Sequence, residues 1–140
     1  MDGLVAPAMN VRIATPEGYH PDPSVMELTL DLAQGSGSSL LVTGNPVEAV
    51  AGADIVVTDT WVSMGQEEEA AQRIKDYEGY QVTEELMRNA ANNAIFLHCL
   101  PRHKEEVDDQ VFYSERSLVF PEAENRMWTV MAVMQSMLGK

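Results

Sequence analysis

A parallel, doubly wound α/β sheet flanked by helices is the fold this sequence predicts, and three observations predict it. Short apolar runs without polar alternation recur along the chain, as in strands buried on both faces. Helical patterns lie between them, two of them opened by a cap residue and a proline. The 140 residues are 45% hydrophobic and 22% charged, which suits one domain with one core.

The elements follow in order. Val11-Arg12-Ile13-Ala14-Thr15 reads as a strand stopped by Pro16. Asp22 and Pro23 open a helix whose Val25, Leu28 and Leu32 share one face. Gly35-Ser36-Gly37-Ser38-Ser39 is a loop before the strand Leu40-Leu41-Val42-Thr43. Asn45 and Pro46 start a second helix, with Glu48 at the third position after the cap, as in a capping box. Ile55-Val56-Val57-Thr58 is a third strand, and Glu67–Tyr77 and Thr83–Asn89 read as helices. Ala94-Ile95-Phe96-Leu97-His98 is a fourth strand and Leu118-Val119-Phe120 a short fifth. Pro121 opens the last helix, with Glu122 and Glu124 in its first turn and Lys140 at or just past its end. Along it Met127, Met131, Met134 and Leu138 recur at helical spacing, a core or interface stripe.

Charge excludes several functions. A formal net charge of −13 leaves no basic footprint for nucleic acid and no polybasic membrane patch. No apolar run approaches the ~20 residues of a membrane span. The single cysteine excludes an internal disulfide and a multi-cysteine zinc site, and fits a reducing compartment. Residues 1–9 hold no basic residue and do not read as a signal or transit peptide. No Gly-x-Gly-x-x-Gly or Walker sequence follows a strand, and His20, His98 and His103 lack zinc-ligand spacing, so no cofactor and no metal are expected.

Ligands of doubly wound sheets sit beyond the carboxyl ends of the strands. That rule selects Asp59-Thr60-Trp61-Val62-Ser63-Met64-Gly65 and His98-Cys99-Leu100-Pro101-Arg102. Ser63 with Gln66 reads as a capping box, which does not exclude binding, because a helix start can hold a substrate carboxylate. Asp59, a carboxylate at the mouth of an apolar strand, needs a cation or several N–H partners, and admits a structural or a functional reading. His98 and Cys99, being adjacent, point to opposite sides of an extended segment and make a poor nucleophile–base pair. Cys99 reads either as a small buried hydrophobe or as a group facing Asp59 across neighbouring strands, His98 also as a core histidine, and Arg102 also as a surface charge. Arg126 lies where the helix dipole disfavours a cation, so it either pairs with Glu122 or binds an anion.

Taken with Glu105-Glu106-Val107-Asp108-Asp109 and Phe120-Pro121-Glu122-Ala123-Glu124-Asn125-Arg126, these segments resemble ornithine carbamoyltransferase over about residues 10–138. The resemblance implies an ornithine-binding α/β domain over residues 10–140 after a poorly matched segment 1–9. It implies transfer of a carbamoyl group from carbamoyl phosphate to the δ-amine of L-ornithine, giving citrulline and phosphate, without a cofactor. Asp59 and Cys99 would contact the amine, and Ser63 and the Met64 backbone the amino-acid end. Cys99, the Leu100 carbonyl and Arg126 would surround the carbamoyl group. His98, Pro101 and Arg102 share the motif, and the Leu100–Pro101 bond is expected to be cis. A thiolate beside Arg102 or Arg126 could take up the proton that the amine loses.

The resemblance also implies absences. Neither the Ser-Thr-Arg-Thr-Arg phosphate loop nor the His-Pro-x-Gln segment of the family's other domain occurs here. The strand expected between residues 11–15 and 55–58 is absent, so both are expected to lose a neighbour. The family forms homotrimers largely through the other domain. The chain is therefore expected to be inactive alone, marginally stable or self-associating, and cytoplasmic, with the mitochondrial matrix as the alternative compartment.

Overall fold

The computed structural model describes residues 9–63 and 65–139, the Glu67 side chain excepted. The chain runs β1 (Val11–Ala14), α1 (Pro23–Ser36), β2 (Leu40–Thr43), α2 (Pro46–Val50) and β3 (Ile55–Thr58). A 3-10 turn (Glu67–Glu69) leads into α3 (Ala70–Asp76), followed by α4 (Glu84–Met87), β4 (Ile95–His98), α5 (Asp109–Phe112) and α6 (Val119–Leu138). Strands and helices alternate as expected, and both strand pairs are parallel.

Local chemistry sets the helix starts. Asp22 accepts the Ser24 N–H at 2.8 Å ahead of Pro23, and Gly37, at φ +73°, closes α1 in the left-handed region. Asn45 accepts the N–H groups of Val47 and Glu48 at the head of α2. Glu48 completes no capping box; its carboxylate accepts the Thr43 hydroxyl at 2.5 Å instead. Thr83 and Asp108 cap α4 and α5 in the same manner.

The sheet is divided. β1 pairs with β2 and β3 with β4, but β1 and β3 face each other across a cleft instead of pairing. Side chains tie the halves together. The Arg12 guanidinium reaches the carbonyls of Ala49, at 3.3 Å, and of Ala51. The Tyr80 hydroxyl donates to the Gly44 carbonyl at 2.7 Å and that of Tyr19 to Asp76 at 2.9 Å. The Tyr77 ring meets the Tyr19 ring edge-on and stacks on Trp61 at 5.2 Å.

The core gathers around β3 and β4, where Val56, Met87, Phe96, Val107, Val111 and Val119 are buried together. Burying an apolar side chain of this size contributes roughly 1.5–3 kcal/mol. The half around β1 and β2 buries only Pro16, Ala33, Ala49 and Val50 among its described apolar residues, so stability is concentrated in the second half.

The face that Val25, Leu28 and Leu32 share is exposed, and α1 buries Thr29 and Ala33 instead. Thr29 tolerates burial because its hydroxyl bonds the Val25 carbonyl at 2.6 Å. The fifth strand shrinks to one bridge between Ser117 and Phe96, and Val119 and Phe120 already belong to α6. Pro121 can sit within the first turn because the N–H groups there have no helical partner to lose. The stripe Met127, Met131, Met134 and Leu138 lies outside the core, each residue more than half exposed. Among the described residues no helix is long and apolar enough to cross a membrane.

Candidate functional site

The β3–β4 register sets Thr58 opposite His98, so the two chains leave the sheet side by side. The next residues are Asp59 and Cys99, and the Cys99 thiol donates to Asp59 Oδ1 at 3.0 Å. The carboxylate also accepts the Thr60 N–H at 2.7 Å. Two residues separated by 40 positions in sequence thus converge at the mouth of adjacent strands.

Cys99 keeps one side open to solvent. Burial of the remainder pushes its thiol up to about 11, and the hydrogen bond to Asp59 acts in the same direction. The groups acting on it are Asp59, the Thr60 backbone and Glu106, none a cation. Cys99 is therefore a thiol at neutral pH, which corrects the expectation of a thiolate beside Arg102 or Arg126.

Glu106 is the residue that sequence reasoning missed. It is 1% exposed, yet its carboxylate joins both loops. Oε1 accepts the Thr60 hydroxyl and the Trp61 N–H, each at 3.1 Å. Oε2 accepts the His103 N–H at 2.9 Å and lies 2.9 Å from His98 Nε2. His98 Nδ1 accepts the Leu100 N–H at 2.9 Å, so Nε2 carries the proton and donates to Glu106. With Nδ1 occupied and 3.9 Å from the sulfur, His98 is no base for Cys99, as their adjacency predicts. The one available signal for Glu106 was a valine, Val107, standing in an otherwise acidic run.

The remaining site residues separate. Leu100 holds φ +53° ahead of a cis Pro101, the geometry the resemblance implies. Arg102 is committed to structure: it pairs with Asp109, holding that carboxyl below its usual range, and lies over the Phe112 ring at 4.7 Å. Glu122 accepts the His98 N–H at 3.1 Å, while Arg126 is exposed, with no ion pair among the described residues. Of its two readings, pairing with Glu122 is not the one formed. Gln66 accepts the Ser63 N–H at 3.2 Å, one arm of the expected capping box, and Ser63 itself is exposed. Met64 lies outside the described residues. Among the described residues no three His, Cys, Asp or Glu side chains gather in a way that could hold a metal.

A cavity of about 360 Å³ opens between β1 and β3 and is bounded near the site by Asp59, Thr60, Trp61, Tyr77 and Tyr80. A carboxylate walled by aromatic rings favours a small cation such as an alkylammonium.

A parallel α/β domain with polar groups converging beyond two adjacent strands belongs to the doubly wound class, in which that edge of the sheet is where ligands bind. More particularly, the chain belongs to the aspartate/ornithine carbamoyltransferase family, whose Asp/Orn binding domain it matches over residues 1–137. It is 57% identical over 130 residues to the mitochondrial ornithine transcarbamylase of Gallus gallus, covering 93% of this chain and 37% of that protein. Among solved structures it resembles ornithine carbamoyltransferase from Pyrococcus furiosus, with a TM-score of 0.84, 44% identity, and 91% of this chain and 41% of that one covered. The anabolic enzyme of Campylobacter jejuni gives a TM-score of 0.86 at 37% identity, with 91% and 42% covered. The chain thus spans well under half the length of these relatives.

Proposed function

We propose that this chain is the ornithine-binding half of an ornithine carbamoyltransferase. The observation that carries the reading is the meeting of Asp59 and Cys99 at adjacent strand ends, supported by the relatives' names.

In the reaction the ornithine δ-nitrogen attacks the carbamoyl carbon. A C–N bond forms, the C–O bond to phosphate breaks, and phosphate leaves with the electron pair while the amine loses a proton. An alkyl ammonium has a pKa of ~10.4, so exposing its lone pair at pH 7 costs about 4–5 kcal/mol. Asp59 holds the ammonium and, with Cys99 a thiol, is the nearer proton acceptor of the two. Cys99 orients that carboxylate through its S–H. Ser63 and the Met64 backbone hold the amino-acid end. The Leu100 carbonyl and Arg126 face the carbamoyl group, where Arg126 stabilises charge developing on its oxygen.

Carbamoyl phosphate carries about two negative charges and needs a cationic cradle, which the phosphate loop of the other half supplies. The chain alone is therefore silent. Mixed with a polypeptide carrying the Ser-Thr-Arg-Thr-Arg half, it is expected to yield citrulline and stoichiometric phosphate, and Asp59→Asn is expected to abolish that yield. Citrulline from the purified chain alone would refute the half-enzyme reading, as would a silent mixture of two folded halves. The relative in Gallus gallus is mitochondrial by name, which favours the matrix over the cytoplasm as the compartment.

A second reading, a non-catalytic amino-acid-binding module, rests on Asp59, directly beyond the end of β3, and on Ser63 further along the same segment. Ornithine binding together with a silent mixture would favour it.

A further inference from the structure

We propose that Glu122 is a positioning residue: its carboxylate latches the first turn of α6 to the end of β4 and so sets where Arg126 stands. The part Arg126 plays rests on the ornithine reading above; the latch does not.

The latch completes an unfinished ladder. On the edge of β4 away from β3, the Phe96 N–H donates to the Arg116 carbonyl and the Leu118 N–H to the Phe96 carbonyl, each at 2.9 Å. By the two-residue period of a strand, the next donor on that edge is the His98 N–H. The backbone that would have met it has already turned into α6 at Val119. Glu122 supplies the acceptor from its side chain instead, at 3.1 Å.

That bond is the outermost hold on the helix. Among the 20 residues of α6, Val119 is buried, Glu122 half-buried and all the others exposed. The Phe120 ring meets that of Phe112 edge-on at 5.8 Å, and Leu118 provides no side-chain cap. Val119 and Phe120 therefore fix where the helix begins, and Glu122, further along, fixes its direction. Arg126 lies four residues beyond Glu122, so the two share one face, about 6 Å apart along the axis. That face is the one turned to His98, directly ahead of Cys99 and Leu100.

The same bond keeps Arg126 free. A glutamate four residues before an arginine is in the favourable order for a helical ion pair. None forms among the described residues; the carboxylate lies on the His98 N–H instead. His98 itself is held independently, opposite Thr58 in the sheet register and with its ring 2.9 Å from Glu106. Loss of the latch therefore moves α6 and Arg126, and leaves Asp59 and Cys99 where they are.

A carboxylate in the first turn also suits the helix dipole, and two substitutions separate that role from the latch. Aspartate keeps the charge but is shorter by one C–C bond, about 1.5 Å. Glutamine loses the charge but keeps the reach, and its amide oxygen still accepts the His98 N–H.

The test compares Glu122→Asp and Glu122→Gln in two readouts. On the isotopically labelled chain, amide exchange at His98 reports the bond, and residual dipolar couplings along α6 report the direction of the helix. In the mixture with the Ser-Thr-Arg-Thr-Arg half, citrulline formation reports kcat and the KM for ornithine. In Glu122→Asp the His98 amide should exchange about tenfold faster or more, and the α6 couplings should change relative to those of β3 and β4. There kcat should fall about 10–100-fold with KM within about threefold, as for a reacting group displaced by about 1 Å. Glu122→Gln should match the parent within about threefold in exchange, kcat and KM, with the couplings unchanged. If Glu122→Asp does not fold, Glu122→Ala, equally short of His98 and the better helix former, takes its place. The proposal is overturned if the shortened side chain leaves exchange and couplings unchanged, if Glu122→Gln is the more damaging, or if KM rises as much as kcat falls. A parent mixture that makes no citrulline refutes the ornithine reading instead, and exchange and couplings then decide the latch.

Discussion

Removing the Glu106 carboxylate should loosen both loops of the candidate site at once. In Glu106→Ala, the Thr60 hydroxyl keeps the Val62 carbonyl at 3.2 Å, and the His103 N–H belongs to an exposed residue that water can reach. The Trp61 N–H and the His98 Nε2–H are buried and lose their acceptor. At about 1–3 kcal/mol for each orphaned buried donor, the cost is about 4 kcal/mol. Glu106→Gln is milder. Its amide nitrogen does least harm facing Thr60 and Trp61, since the Thr60 hydroxyl can turn to accept. The Trp61 N–H alone is then opposed by a donor, at about 2 kcal/mol. His98 cannot rescue the opposite orientation by changing tautomer, because Nδ1 already accepts the Leu100 N–H. Urea unfolding followed by circular dichroism reads both values as shifts in midpoint at constant slope. A Glu106→Ala protein within about 0.5 kcal/mol of the parent would refute the reasoning, since that is the range of an ordinary surface substitution.

Three further outcomes are expected. Cys99 should titrate near pH 11 by thiolate absorbance, and Asp59→Ala should lower that midpoint; since a raised thiol pKa stabilises the fold only while the thiol is protonated, this contribution is lost as pH rises from about 9 to about 11, and a midpoint at or below 9 would contradict it. Arg126→Ala should leave urea stability within about 0.5 kcal/mol, because Arg126 is exposed and without an ion pair among the described residues, yet abolish citrulline formation in the reconstituted mixture; a stability loss with unchanged turnover would reverse its role. The purified chain should unfold broadly or with a concentration-dependent midpoint, given its open strand edges and the exposed Met127, Trp128 and Met131 of α6, and a sharp reversible transition from a clean monomer would count against it.

Much of the site was legible in the sequence because strand ends are legible. Apolar runs ending at Thr58 and His98 placed Asp59 and Cys99 at the carboxyl edge, and their contact needed only that β3 and β4 be neighbours. Glu106 was not legible. In an acidic run a glutamate reads as solvated, and its burial depends on four donors brought in from residues 60, 61, 98 and 103. The buried face of α1 was not legible, because Thr29 and Ala33 carry weak hydrophobic signals, while the larger Val25, Leu28 and Leu32 point outward. The divided sheet could not come from periodicity, since each strand looks buried whether or not its neighbour is present; the resemblance alone implied the gap between residues 11–15 and 55–58. The state of Cys99 was misread because its adjacent cations are obvious in sequence, whereas the burial and the Asp59 carboxylate that govern it are tertiary.

The most direct measurement is a calorimetric titration of the purified chain with L-ornithine, repeated with Asp59→Ala after circular dichroism has shown that the variant keeps its fold. Saturable heat in the parent that vanishes in the variant is the expected result. Absence of binding to the folded parent, or binding that survives Asp59→Ala, would contradict the assignment of this chain as an ornithine-binding half.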